Sequence, residues 1–76
     1  MAEWVALAER FPKPEDLRRD GNGFCCLLIW SMEGWEIHGY NDARTTIDEL
    51  HKQRERYRIT HWMTLPEMPD SVRNQP

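Results

Sequence analysis

The chain lacks any long apolar stretch. Its longest uninterrupted run, Phe24–Trp30, covers seven residues, against the roughly 20 that a membrane-crossing helix requires. Met1 is followed closely by Glu3, which leaves no uncharged core for a secretory leader, so a soluble, cytoplasmic protein is expected. Cysteine is scarce too. Cys25 and Cys26 are the only two, and neighbours on a strand point to opposite faces, so they are expected to be separate, reduced thiols in a reducing compartment. Nor does charge of one sign dominate. Ten Lys and Arg against thirteen Asp and Glu, a net charge of −3, is too balanced for a general nucleic-acid binder and too weak for an acidic mimic of DNA.

The apparatus of catalysis and metal binding is equally thin. His38, His51 and His61 are not spaced at i,i+4 from one another or from a Cys, and neither Cys-x-x-Cys nor His-Glu-x-x-His occurs. Cys25 or Cys26 could be drawn with His38 or His61 as nucleophile and base, but thiols buried in an apolar strand are usually inert. Ser31 is the only serine ahead of the tail, and no glycine-rich phosphate loop is present. A chain of 76 residues also seldom builds a shielded pocket. The expectation is therefore a protein that is not an enzyme and holds neither cofactor nor metal.

Aromatic residues are what the chain does have. Four Trp, two Phe and two Tyr can each bury about 150–250 Å², so one small domain over residues 1–76 can form a core without disulfides. Pro14, followed by Glu15 and Asp16, predicts a short helical turn, which Gly21-Asn-Gly23 stops. Phe24–Trp30 and Trp35–Tyr40 read as a β-hairpin. With Glu33 and Gly34 as the turn, Met32 would pair with Trp35, Trp30 with Ile37 and Leu28 with Gly39. One face then carries Phe24, Cys26, Leu28, Trp30, Met32, Trp35 and Ile37, and that face is expected to lie under a helix.

The helix is predicted over about Ile47 to Tyr57. Thr46-Ile-Asp-Glu49 forms a capping box with Thr46 as N-cap, and Ile47, Leu50 and Tyr57 make a narrow apolar stripe. Asp48 and Glu49 at its start and Arg54, Arg56 and Arg58 near its end suit the helix dipole. Ile59–Met63 reads as a third strand, and Pro66 and Pro69 confine the remainder of the chain to an edge or an extended tail. The fold class expected is α+β: a small antiparallel sheet of two or three strands with one main helix packed on it. Trp62 is expected near Trp4, joining the two ends of the chain.

Two surface features bear on function. Glu33, Glu36, Asp42, Asp48 and Glu49, with His38 among them, surround the hairpin and the start of the helix, a layout suited to steering a basic surface of another protein. These six are the predicted partner-binding residues. The basic run from Lys52 through Arg54, Arg56 and Arg58 could instead touch phosphates, with Tyr57 stacking on a base, but Glu55 interrupts it. The face of the hairpin bearing Cys25, Leu27 and Ile29 with Glu36, His38 and Tyr40 cannot share the same helix, so either the chain ends cover it or it remains an interaction patch.

The two tryptophan-containing end segments, Trp4-Val-Ala-Leu-Ala-Glu-Arg-Phe-Pro12 and Thr60-His-Trp-Met-Thr-Leu-Pro-Glu-Met-Pro69, resemble the signatures of a small family of phage and prophage proteins, domain-of-unknown-function family 551. That family typically opens on Trp-x-x-Val-x-Glu-Arg-Leu-Pro and closes on Thr-His-Trp-x-Pro-Leu-Pro-x-Pro-Pro. Phe11, Thr64 and Met68 depart from it, the last two where proline is usual. The resemblance implies a shared fold and a phage setting, with no reaction attached. Its implied role is a non-enzymatic accessory protein that binds a protein or complex of the bacterial host. A specific form is an inhibitor of a defence complex, anti-CRISPR-like, acting by surface occlusion in the host cytoplasm. A small nucleic-acid-binding regulator is the alternative, and a second copy of the chain is a further allowed partner.

Overall fold

A computed structural model describes residues 3–66; Met68, Pro69 and the rest of the tail lie outside them. The elements in chain order are β1 (Val5–Ala6), a 3-10 turn (Pro14–Asp16), β2 (Arg18–Arg19), β3 (Cys25–Ser31), β4 (Gly34–Tyr40), α1 (Ala43–Gln53) and β5 (His61–Thr64). The class is α+β with a single helix among the described residues, and the sheet has five strands, not two or three. The additional strands β1 and β2 are two residues each, too short for alternation to show. They become strands only because β5 and β3 offer them an edge.

β3 is the axis of the sheet. β4 pairs with it from Cys25↔Tyr40 to Ser31↔Gly34 along one edge. The other edge is divided between β2, at Cys25 and Cys26, and β5, from Leu27 to Trp30. The β2–β3 connection is fixed by Asp20, whose carboxylate accepts the Asn22 and Phe24 backbone N–H groups at 2.8 and 3.0 Å. Gly23 there takes a φ of +87°, a conformation glycine alone adopts without strain. Those N–H donors, Phe24's foremost, hold the Asp20 carboxyl below its ordinary value of 3.8. The β3–β4 turn falls on Met32 and Glu33, with Gly34 at φ +97°, so the register is Trp30↔Trp35 and Leu28↔Ile37. This lies two residues from the predicted pairing. A slip of two leaves each side chain on its predicted face.

Which face is buried is a separate matter, and here the sequence reading inverts. α1 covers the side carrying Cys25, Leu27, Ile29, Ser31 and His38, and leaves Trp30, Met32, Trp35 and Ile37 exposed. The compact aliphatic groups pack together: Leu27, Ile29 and Leu50 join Leu7, Ile59 and Trp62 in one core cluster. Polar anchoring reinforces this choice. Thr46 is fully buried, and its hydroxyl donates to Cys25 O at 2.7 Å while accepting the Tyr40 N–H at 3.0 Å. It thereby bridges the last rung between β3 and β4. His38 Nε2 lies 2.8 Å from Thr46 O.

Thr46 is thus not the N-cap. The helix starts four residues earlier, with Asp42 accepting the Thr45 N–H at 2.8 Å. Asp42 wins because its side chain can turn back on the helix start while Thr46 is drawn into the sheet. Beyond Gln53 the chain makes one further turn. It closes with Arg58 N–H donating to Glu55 O at 3.3 Å and Ile59 N–H to Arg54 O at 2.9 Å, the pattern of a Schellman cap. Arg58 sits in the left-handed region at φ 54°, and the reversal delivers Ile59 to the core.

The two end segments do meet. Val5 pairs with Trp62 and Ala6 with His61, and the Trp62 indole N–H donates to Arg10 O at 3.1 Å with the Arg10 guanidinium 4.8 Å from its ring. Trp62 is buried to 1 % exposure, but Trp4 is 41 % exposed and rests edge-on against Trp30, with ring centroids 6.0 Å apart. The two tryptophans therefore play different parts, one in the core and one on the surface.

Candidate functional site

The uncovered side of the sheet is set by the registers. Ala6, His61, Trp30 and Trp35 stand in one row across β1, β5, β3 and β4, and Met63, Leu28 and Ile37 in the next. Cross-strand neighbours on one face sit about 4.5–5.5 Å apart, so these side chains form a continuous surface, extended by Trp4 on Trp30 and by Phe24. Trp35 and Ile37 are 63 % and 59 % exposed. If a full indole spans about 250 Å², Trp4, Trp30 and Trp35 leave on the order of 300–400 Å² of aromatic surface in water. That matches the largest patch on a typical monomer, which is often functional.

The six predicted partner-binding residues divide. Glu33 in the turn and Glu36 on β4 are exposed, but Glu36 stands opposite Ile29, on the side of the sheet turned away from the aromatic face. Asp42 is occupied as the helix cap, and the Thr45 N–H, its largest influence, holds its carboxyl below 3.8. Asp48 lies 4.0 Å from Arg44, and Glu49 is engaged by Lys52 at 3.4 Å and Gln53 at 3.3 Å. His38 is buried under the helix and meets the Tyr40 ring edge-on at 5.4 Å, so it is withdrawn from any partner. The residues that replace it are Trp4, Trp30, Trp35 and Ile37, which hydrophobicity alone would place in the interior. The available signal is their bulk, since two indoles directly opposite each other on a strand pair fit poorly beneath a single helix.

The other chemically capable groups are committed within the fold. Both thiols are free and buried. Burial pushes the Cys26 thiol up, and the Asp20 carboxylate beside it adds to the effect, the opposite of what activates a nucleophile. His51 stacks on Phe11 with centroids 3.9 Å apart, and His61 Nδ1 lies 2.8 Å from Thr60 Oγ1. In the basic run, Lys52 reaches Glu49, Arg54 lies over Phe11 at 5.2 Å and Arg56 over Tyr57 at 5.5 Å. Among the described residues no helix is long and apolar enough to cross a membrane. Compared with known proteins, the chain matches no family model, no curated protein and no solved structure.

Proposed function

We propose that this chain is a non-catalytic protein-binding module that docks through the outer face of its sheet. The exposed aromatic surface of Trp4, Trp30, Trp35 and Ile37 on a rigid scaffold carries the reading, because Trp is the residue most enriched among interface hot spots. Glu33 in the turn, and Glu36 exposed on the other side of the same strand, steer a basic target, raising the on-rate more than the affinity. The resemblance of the end segments to the phage family gives the setting: a bacterial host protein or complex as partner, with a defence complex inhibited by occlusion as the specific form.

The test is affinity capture from a bacterial host with three variants in parallel. Trp30→Ser with Trp35→Ser should abolish capture. Glu33→Lys with Glu36→Lys should weaken it, and Arg54→Glu with Arg56→Glu should matter less. Capture should also survive added salt, since an apolar interface lacks the steep salt dependence of phosphate binding. Loss of the captured species in the arginine variant alone, with steep salt sensitivity, would replace this reading with the nucleic-acid one.

A further inference from the structure

The turn that joins β2 to β3 is fastened mainly by Asp20. Its carboxylate accepts the Asn22 and Phe24 N–H groups at 2.8 and 3.0 Å, and its own N–H donates to Phe24 O at 2.9 Å. Gly23 is held less closely. Its N–H donates to Asp20 O at 3.2 Å, the longest of these bonds, while the Arg19 guanidinium takes its carbonyl on the far side of the residue. Asn22 and Gly23 are both exposed, and where Gly23 would carry a Cβ there is no atom within 4 Å.

An asparagine followed by a glycine holds both partners of a reaction. The Gly23 nitrogen, once it loses its proton, can attack the side-chain carbonyl carbon of Asn22. A C–N bond forms, the side-chain nitrogen leaves as ammonia, and a five-membered succinimide results. Water then adds to one of the two ring carbonyls. One opening leaves aspartate at position 22; the other leaves an isoaspartyl linkage, in which the backbone runs through the former side chain. The balance is asparagine plus water to a carboxylic acid plus ammonia, so neither enzyme, oxidant nor cofactor is required.

We propose that Asn22 is a site of spontaneous deamidation in the folded protein. The other two asparagines, Asn41 and Asn74, precede Asp42 and Gln75, whose β-carbons crowd the attacking nitrogen; only glycine lacks that atom. The fold protects Asn22 weakly. Turning the Gly23 nitrogen toward the amide carbon gives up its bond to Asp20 O, and one such bond is worth about 0.5–1.5 kcal/mol. Since about 1.4 kcal/mol is a factor of ten in rate, the folded turn slows the reaction by no more than on the order of tenfold.

The product alters the turn in two ways. It places a new carboxylate beside that of Asp20, and the isoaspartyl form adds one backbone atom between the Asn22 and Phe24 N–H groups that Asp20 now holds together. Both N–H groups then no longer fit one carboxylate oxygen, so the β2 edge loosens. The change is irreversible and thus records the age of each molecule. It is independent of what the outer face of the sheet binds.

The test is incubation of the full chain at mildly alkaline pH, folded and in concentrated urea, with peptide mapping by mass spectrometry over several weeks. Asn22 should gain the mass of one deamidation well ahead of Asn41 and Asn74, with isoaspartate identified by fragmentation, and its folded rate should lie within about tenfold of the urea rate. Asn22→Ser should remove the isoaspartate signal from this peptide. The aged parent should also melt below fresh protein, and the aged serine variant should not. Conversion of Asn22 no faster than Asn41 or Asn74, or a folded rate further below the urea rate than that, overturns the site; an aged parent that melts with the fresh one overturns its effect on the turn.

Discussion

Removing the Thr46 hydroxyl while keeping its volume is the sharpest probe of how the helix selects its face of the sheet. Thr46→Val replaces an oxygen that donates to Cys25 O at 2.7 Å and accepts from Tyr40 N at 3.0 Å with a methyl of similar size. The methyl holds those two backbone groups apart and leaves both without a partner at a fully buried position. A buried polar group stranded in this way costs about 1–3 kcal/mol, so the pair should lose about 2–6 kcal/mol. A domain of this length has only about 4–11 kcal/mol in total, and at about 4–8 °C per kcal/mol the melting temperature should fall by about 8 °C at the least. Thr46→Ser is the control: it keeps the hydroxyl and gives up one methyl, about 1 kcal/mol. Urea unfolding followed by circular dichroism measures both variants. If the valine protein is as stable as the parent, or more stable than the serine protein, the hydroxyl does not pin the sheet to the helix and the explanation of the buried face fails.

Two further outcomes rest on the same geometry. A Cβ at Gly39 would collide with Cys26 Sγ and crowd Cys25 O at 3.1 Å, so Gly39→Ala should cost about 1–3 kcal/mol as an overpacked site; a chemical denaturation midpoint equal to the parent's refutes it. Asp16, Asp20 and Asp42 all have carboxyls held below 3.8, Asp16 because the Lys13 N–H and the Arg10 guanidinium outweigh its desolvation. Depressed carboxyls stabilise the fold above their ordinary range and lose that contribution as pH falls through the folded-state values. Melting temperature should therefore drop as pH is lowered past about 4, and Asp20→Asn should shrink that drop; an unchanged acid profile in the variant contradicts the assignment.

How far the sequence reveals the fold depends on the length of each signal. The hairpin, the helical turn at Pro14 and the joining of the two ends are legible, because strong β-formers, a first-turn proline and paired tryptophan segments each act locally or in bulk. The strand count is not, since Val5–Ala6 and Arg18–Arg19 owe their extension to partners distant in the chain. The buried face is misread because both faces of β3 are apolar, so alternation alone cannot rank them. What decides is the fit of Leu27 and Ile29 against Leu50, together with the Thr46 and His38 bonds, none of which a one-dimensional pattern contains. The candidate site suffers from the same error: the acids at Glu33 and Glu36 are legible as surface, while the indoles beside them are assigned to the interior.

The division of one edge of β3 between β2 and β5 has a consequence for the order in which the molecule assembles. Pairing β3 with β4 or β2 closes loops of two or three residues, at Met32–Glu33 and Gly21–Gly23. Joining Val5 to Trp62 closes a span of 57 positions (62 − 5), an entropy cost larger by on the order of 3 kcal/mol from the logarithm of loop length. The local hairpins therefore lead, and the strand that carries Trp62 docks on an edge already laid out for it. Interactions that form late act mainly on the rate of unfolding. The contact of Arg10 with Trp62 thus governs how long a folded molecule lasts more than how quickly one forms.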